Sequence, residues 1–512
     1  MKKGILYYFL FATTFIANAQ KEADVMYFGG CLYSGACTCS FPLQGSIYYF
    51  NEDSVQQIVD PACMPLSTFY SKACFADRNT GEFLFACNGW RLINGDGNVV
   101  SHKLWLDNMP HPGGTPDTTD VGVIAGPLFL PHPGDSTKAY LFYGQLSLYN
   151  VQNFTFRADK YFTYALLDIP TKSLISKNYI LLTDTSSMGD MQACRHANGR
   201  DWWIIKPDIW ENKYFIGLLT PQGLSMNPIV LPNVPSALRT NTSSKFNIQG
   251  TKYIHFTGAP GKTIHEFDFD RCTGTLNNFV LHDISDSISI INNSIGAISI
   301  SPDGSKFYIQ RSSTTGFDGL EQGLFQVDLA TDSMRLIARY GGCPQMMPNG
   351  KKMLFYEYIY DTTTSSVTQR SVSEIDNPND HFNELDIHHF KFNDSNSTLG
   401  VAPNNFAYMR LGADTLSICD SLSVITKRNG KQNQNGLVVF PNPATHYLQI
   451  EVQEQGTTQY KIINYFGQVL QLWQNNQITQ KIELSNLNNG FYLLQATNNK
   501  GIVEQKKFVI QR

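Results

Sequence analysis

Apolar and polar positions alternate in two short runs within residues 295–311. Ile298 and Ile300 alternate with Ala297, Ser299 and Ser301, and Phe307 and Ile309 alternate with Lys306 and Tyr308. A period of two puts successive side chains on opposite faces, so each run reads as a half-buried strand. Ser301-Pro302-Asp303-Gly304 lies between them. Its proline presets φ and its glycine accepts positive φ, as a tight turn requires. Two more alternating runs, 323–329 and 334–340, follow. Four antiparallel strands in about 45 residues is the size of a propeller blade.

The same plan recurs at 69–105, 126–182, 191–231, 245–282 and 343–390. A glycine–lysine turn precedes an aromatic or apolar strand in Gly250-Thr251-Lys252-Tyr253, Gly304-Ser305-Lys306-Phe307 and Gly350-Lys351-Lys352-Met353. A later strand ends near an aspartate, at Asp168, Asp268 or Asp328. One blade cannot bury both its faces, so the units must pack side by side. Six units lie between 69 and 390, and the strands near 25–50 and 404–411 are expected to complete a seventh. The expected fold is all-β: a propeller of roughly six to eight blades, with seven favoured, closed so that no sheet edge is exposed.

From 425 to 436 the chain is polar, with no apolar face, and reads as a linker. Residues 437–512 read as a second domain. Short alternating strands at 447–452, 460–464, 469–473, 480–484, 490–497 and 503–510 make a small immunoglobulin-like β-sandwich. Three features of this tail point further. It opens Phe440-Pro441-Asn442-Pro443-Ala444, contains Leu487-Asn488-Asn489-Gly490-Phe491-Tyr492, and ends Lys506-Lys507-Phe508-Val509-Ile510. Over its whole length the tail resembles the type A C-terminal sorting domain of type IX secretion substrates. That resemblance implies export through the outer membrane, the type IX machinery as a partner, and a sorting signal at Phe440, Pro441, Asn442, Pro443, Gly490, Tyr492, Lys506 and Lys507.

The other end of the chain agrees with export. Lys2 and Lys3 precede an apolar run from Ile5 to Ile16, and Ala17-Asn18-Ala19 supplies small residues for cleavage. Residues 1–19 are thus expected to be a signal peptide, with the propeller occupying 20–424. No later stretch is apolar enough to cross a bilayer. The net charge is −4, from 39 basic and 43 acidic residues, and no basic block is present, which argues against nucleic acid as a partner. Ten cysteines in an exported chain point to disulfides or buried thiols. Cys31, Cys37 and Cys39 lack zinc-ligand spacing.

Candidate chemistry is sparse. Cys194-Arg195-His196-Ala197-Asn198-Gly199-Arg200-Asp201-Trp202-Trp203 resembles a blade motif of large secreted propellers of the tryptophan–aspartate-repeat-like kind from the Bacteroidota. The segment 404–422, with Arg410-Leu411-Gly412 and Cys419-Asp420-Ser421-Leu422, resembles the one that closes them. His196 and Asp201 are the best acid–base pair, and Trp202 and Trp203 could stack on a sugar. The competing expectation is that these side chains link strands by buried hydrogen bonds. His111 and His132 sit in Pro-His-Pro-Gly loops. His388 and His389 are neighbours on a strand and point to opposite faces, so they do not share an ion. Asn94-Gly95-Asp96-Gly97-Asn98 reads as a hairpin turn, because no acid closes it as a calcium loop. No nucleophile elbow, phosphate loop or zinc-protease motif is found. The expectation is therefore an exported binding or interaction module with no catalytic residues, metal or cofactor assigned, for an extracellular glycan or protein ligand. The alternative is a hydrolase or lyase acting on extracellular polysaccharide.

Overall fold

The computed structural model describes residues 25–28, 46–50, 55–59, 66, 73–109, 126–151, 154–183, 186–187, 190–210, 212–235, 242–257, 263–284, 295–311, 323–347, 349–361, 366–393, 411–414, 417, 419, 437–442, 444–452, 456–464, 469–499 and 503–510. Residues 1–19, Cys31, Cys37, Cys39, Cys63, His111, residues 404–410, residues 425–436 and Pro443 lie outside this set. The chain divides into two compact units, 1–423 and 424–512. All regular structure among the described residues is strand.

The first unit is a β-propeller. Its strands form seven antiparallel sheets, here blades one to seven, at 25–59, 73–101, 128–182, 192–230, 242–283, 295–339 and 341–393. Blade one has three strands and each of the others has four in sequential hydrogen-bonded order. A separate apolar core region joins each blade to the next. Ile47 meets Cys74 and Phe83 between blades one and two, and Phe85 meets Phe129 between two and three. Phe142 packs near Ile204, and Tyr214 near Tyr253, across blades three to five. Ile254 meets Ile298, and Tyr308 meets Met353, across blades five to seven. Tyr48 with Leu354 and Tyr356 then joins blade seven back to blade one. The ring is therefore closed, so each blade packs a neighbour on both of its faces, while its outermost strand remains a short edge.

The turn chemistry has a cross-strand cause. The lysine that opens the second strand of a blade lies directly opposite the aspartate that ends the third: Lys138 and Asp168, Lys252 and Asp268, Lys306 and Asp328, Lys352 and Asp376. Three of these pairs are ion pairs at 3.2, 2.8 and 2.8 Å. Opposite charges facing each other across a strand pair favour that register over a one-residue slip. The aspartates also hold the following turn; Asp168 accepts from the backbone of Thr171 and Asp328 from that of Ala330. At 94–98, Asn94 accepts from the amides of Asp96 and Asn98, forming the hairpin turn that its glycines suggested.

Residues 25–59 form blade one. The expected closing strand at 404–411 lies outside the described residues except for Leu411, which packs against the core of blades four and five.

In the second unit, the strands Val438–Phe440, Tyr447–Glu451 and Thr479–Glu483 form one sheet. Val469–Asn475, Thr458–Asn464, Gly490–Thr497 and Val503–Ile510 form the other, in that order. Leu448, Ile450, Tyr460, Ile462, Leu494 and Phe508 fill the space between them.

Candidate functional site

The motif from Cys194 to Trp203 is the turn between the first two strands of blade four, Gln192–Arg195 and Trp202–Pro207. Asn198 organises it, accepting from the amides of Arg200 and Asp201 and donating to Asp201 Oδ2 at 2.8 Å. The Arg200 guanidinium clamps both Asp201 oxygens, at 2.7 and 3.0 Å. Asp201 is buried, and both its oxygens are bonded within the turn. His196 is also buried; its Nδ1 accepts from the amide of Asn198. Burial pulls His196 below its usual value, against the opposing influence of Asp201 and a hydrogen bond to the backbone of Cys272. Trp202 is wholly buried beneath the Arg195 guanidinium, 3.8 Å from the ring centroid, and has no face for a sugar. Trp203 is half-buried, donates from Nε1 to the Arg271 carbonyl at 2.8 Å, and packs so tightly on Gly274 that a Cβ there would lie 2.6 Å from its ring.

All four residues thus have partners within the chain. The motif grips the last turn of blade five, around 270–275, through Ala197 N donating to Arg271 O at 2.9 Å. Across the two turns lies a strap, described at residues 411–414, 417 and 419. Asp414 N donates to Ala197 O at 2.8 Å, and Arg271 Nη2 donates to Gly412 O at 2.7 Å. Ala413 covers Gly199, whose φ is +72° and whose Cβ would meet the Ala413 backbone at 2.5 Å. The Cys272–Cys419 disulfide fastens the strap. The two segments singled out by resemblance, at 194–203 and 404–422, thus meet in space. Cys74, Cys87 and Cys194 are buried in sheets, and burial pushes the Cys194 thiol up to about 12.

A second polar group was not legible as a site. Ser244, His255 and His265 are register partners across the first three strands of blade five, Thr242–Phe246, Lys252–Thr257 and Thr263–Phe269. All three are buried. Tyr214 OH, from blade four, lies 2.9 Å from His255 Nδ1. Asp190, just before the first strand of blade four, accepts from Ser244 Oγ at 2.5 Å and stands 3.6 Å from His255 Nε2. In the corresponding row blade six carries Ile298, Ile309 and Phe325, which are apolar. Beside this row Lys206 Nζ donates to Asp159 Oδ2 at 2.6 Å, with both groups buried. The available signal was a pair of histidines set in otherwise apolar alternation, at Tyr253-Ile254-His255-Phe256 and Ile264-His265.

Three further histidines that stood out in the sequence have partners within the chain. His132 stacks on Tyr140 and its Nδ1 accepts from Gly134 N. His388 bonds Asp376 while His389 bonds Glu357, so the neighbours do take different partners. Glu374, Asp376 and His388 bring ligand atoms within 4.8 Å of one another. The Lys352 ammonium already lies between the two carboxylates, 2.7 and 2.8 Å away, and supplies their counter-charge.

In the tail, Asn442 explains its place in the Phe-Pro-Asn-Pro opening. Its Nδ2 donates to Lys507 O at 3.3 Å and its Oδ1 accepts from Val509 N at 2.9 Å, fixing the opening to the last strand. Ala444 N adds a bond to Val509 O. Phe440 and Pro441 are exposed. Gly490 pairs with Ile510 at the start of its strand, and Tyr492 stacks on Phe508 and donates to Asn488 O at 2.8 Å. Lys506 and Lys507 are exposed, while Phe508 and Ile510 are buried.

The family described as "Secretion system C-terminal sorting domain" matches residues 438–511. No curated protein matches the chain. Among solved structures, one from Lactobacillus plantarum is 13% identical, with TM-score 0.35, and the match covers 68% of this chain and 95% of that one. The periplasmic gluconolactonase of Pseudomonas aeruginosa is 14% identical, with TM-score 0.33 and coverage of 72% and 99%. PorZ of Porphyromonas gingivalis, a surface component of the type IX secretion system, is 10% identical, with TM-score 0.15 and coverage of 92% and 91%. These likenesses are too distant to transfer a ligand or an activity. The tail gives the destination: the protein is exported by the type IX system to the cell surface or medium.

Proposed function

We propose that the exported propeller is a binding module for an extracellular glycan or protein, displayed or released by a bacterium of the Bacteroidota, rather than an enzyme. The observation that carries this reading is the burial of its acid–base chemistry. Asp190, His255 and Tyr214 form the arrangement most like a catalytic relay, yet each is at most 3% exposed. A general acid or base must reach within hydrogen-bond distance of the substrate atom it serves. Asp201, the other candidate, has both oxygens engaged by Arg200 and Asn198. Such groups hold blades together and leave recognition to the loops and rims.

Two measurements test the reading. The full chain, screened against extracellular polysaccharides and surface proteins, is expected to bind without releasing reducing ends or unsaturated sugars. Turnover abolished by Asp190→Asn would replace the binding module with the hydrolase or lyase. Separately, deletion of residues 437–512 is expected to leave the chain in the periplasm with its signal peptide removed. Normal amounts of the truncated chain on the surface or in the medium would refute the sorting role.

A further inference from the structure

We infer that the paired turns of blades four and five are a peptide-binding cradle, filled in cis by the strap at residues 411–414 and locked by the Cys272–Cys419 disulfide. Most of the recognition uses the peptide backbone. Ala197 O takes the Asp414 amide, and Arg271 Nη2 takes the Gly412 carbonyl. Arg271 is held for this task by its Nε, which donates to Arg195 O at 2.9 Å. Side-chain selection comes at Leu411, which packs on the apolar core near Gly250, while the backbone of Ala413 lies so close to Gly199 that a side chain on residue 199 would displace it. The ligand class is therefore a peptide like the strap itself, an aliphatic anchor followed by glycine and alanine and turning after the aspartate, where Ser417 N donates to Asp414 O at 2.9 Å. Backbone hydrogen bonds supply affinity and the leucine anchor supplies specificity.

The strap is not a continuation of any blade. The last strand of blade seven ends at Asn393, and the chain returns against blades four and five at Leu411. Two backbone-directed hydrogen bonds and one leucine anchor hold residues 411–414, and the disulfide supplies the covalent tie. Both cysteines are half-buried and within reach of a small reductant. A dithiol opens the lock by ordinary exchange: its thiolate attacks one cysteine sulfur and expels the other cysteine as a thiolate, its second thiolate then attacks the mixed disulfide and expels the first cysteine, and it leaves as a cyclic disulfide. Cys272 and Cys419 each end as a thiol, and the cradle becomes exchangeable.

Hydrogen exchange on the intact wild-type chain, with and without dithiothreitol, reads the lock directly. The Asp414 amide, bonded to Ala197 O, is expected to lose protection by roughly tenfold or more on reduction, while Ile254 and His255 in blade five keep theirs. Unchanged protection at Asp414, or loss at Ile254 in step with it, overturns the inference; the second outcome makes the bridge a staple of the fold. Capture of a peptide reads the site. Full-chain Cys419→Ser is mixed with a peptide of residues 409–421 whose cysteine is activated as a thiopyridyl disulfide. The Cys272 thiolate attacks the peptide sulfur and thiopyridone leaves. Capture at Cys272 is expected to run roughly tenfold faster than for a scrambled peptide carrying the same activated cysteine. Equal rates for the two peptides overturn the cradle.

Discussion

Blade five packs between two neighbours, and its two faces are built differently. Toward blade six it presents Ile254, Phe256 and Ile264, which meet Ile298, Ile300, Phe307 and Ile309 in a dry core. Toward blade four it keeps an aromatic layer of Phe246, Tyr253 and Phe267, and then sets Ser244, His255 and His265 in a row against Tyr214 and Asp190. The same strands supply both faces, since alternate residues point in opposite directions. The dry face gains from burial wherever volumes match, so it tolerates many apolar combinations. The polar face is stable only if each donor finds its acceptor, which ties a segment of blade four, Asp190, to one register of blade five. The contrast separates an interface that mainly holds from one that also specifies its partner.

The largest effect should come from the dry side. Phe256 is 1% exposed, and Phe256→Ala is expected to cost about 4 kcal/mol, with the propeller melting earlier by a similar margin across pH and salt. On the polar side, Asp190→Ala removes the acceptor of Ser244 and leaves His255 facing a void, at an expected cost of about 3 kcal/mol. Asp190→Asn keeps one acceptor oxygen and should recover part of that loss. The comparison breaks if Asp190→Ala melts with the wild type while Phe256→Ala does not, for the polar row would then carry no stability.

Much of the ring was legible in the sequence because its code is local. Period-two alternation gave the strands, and the lysine turns and strand-end aspartates recurred because each pair faces across two adjacent strands. The tail was legible for a similar reason: Asn442, Gly490 and Tyr492 sit at fixed positions around one strand pair and the opening that joins it. The site was not. Asp201 could be read either as an acid–base group or as a strand-linking one; Asn198 and Arg200 take both its oxygens within the turn, a geometry that adjacency in sequence allows but does not dictate. Trp202 and Trp203 looked like a paired platform, although neighbours on a strand face opposite ways and one of them had to be in the core. The meeting of 194–203 with the strap, and of Tyr214 with His255, depends on how blades close in space, which no local pattern records.

The smallest expected effect is at the rim of the dry interface, and it alone depends on pH. His282, on the last strand of blade five, has Nε2 3.0 Å from Glu266 and Nδ1 2.6 Å from Asp332 in the last turn of blade six. The Lys252 ammonium shares Glu266. Burial works against the imidazolium, but the bonds to Glu266 and Asp332 outweigh it and raise His282 above its ordinary value. Glu266 is held below the usual carboxylate range, chiefly by its bond to His282, so it is charged wherever His282 titrates. Only the protonated ring can donate to both carboxylates at once. This link between blades is therefore complete below the unfolded histidine value, about 6.5, and weakens as pH rises through the raised folded one. His282→Gln offers one donor group in place of two and is expected to cost about 1 kcal/mol near pH 6. The difference from wild type should shrink at a second, alkaline pH above the raised folded value, where the native imidazole is also neutral. Melting curves of both proteins at the two pH values decide the matter. An equal difference at both would mean that His282 contributes shape and not charge, leaving the dry interface insensitive to pH along its whole depth.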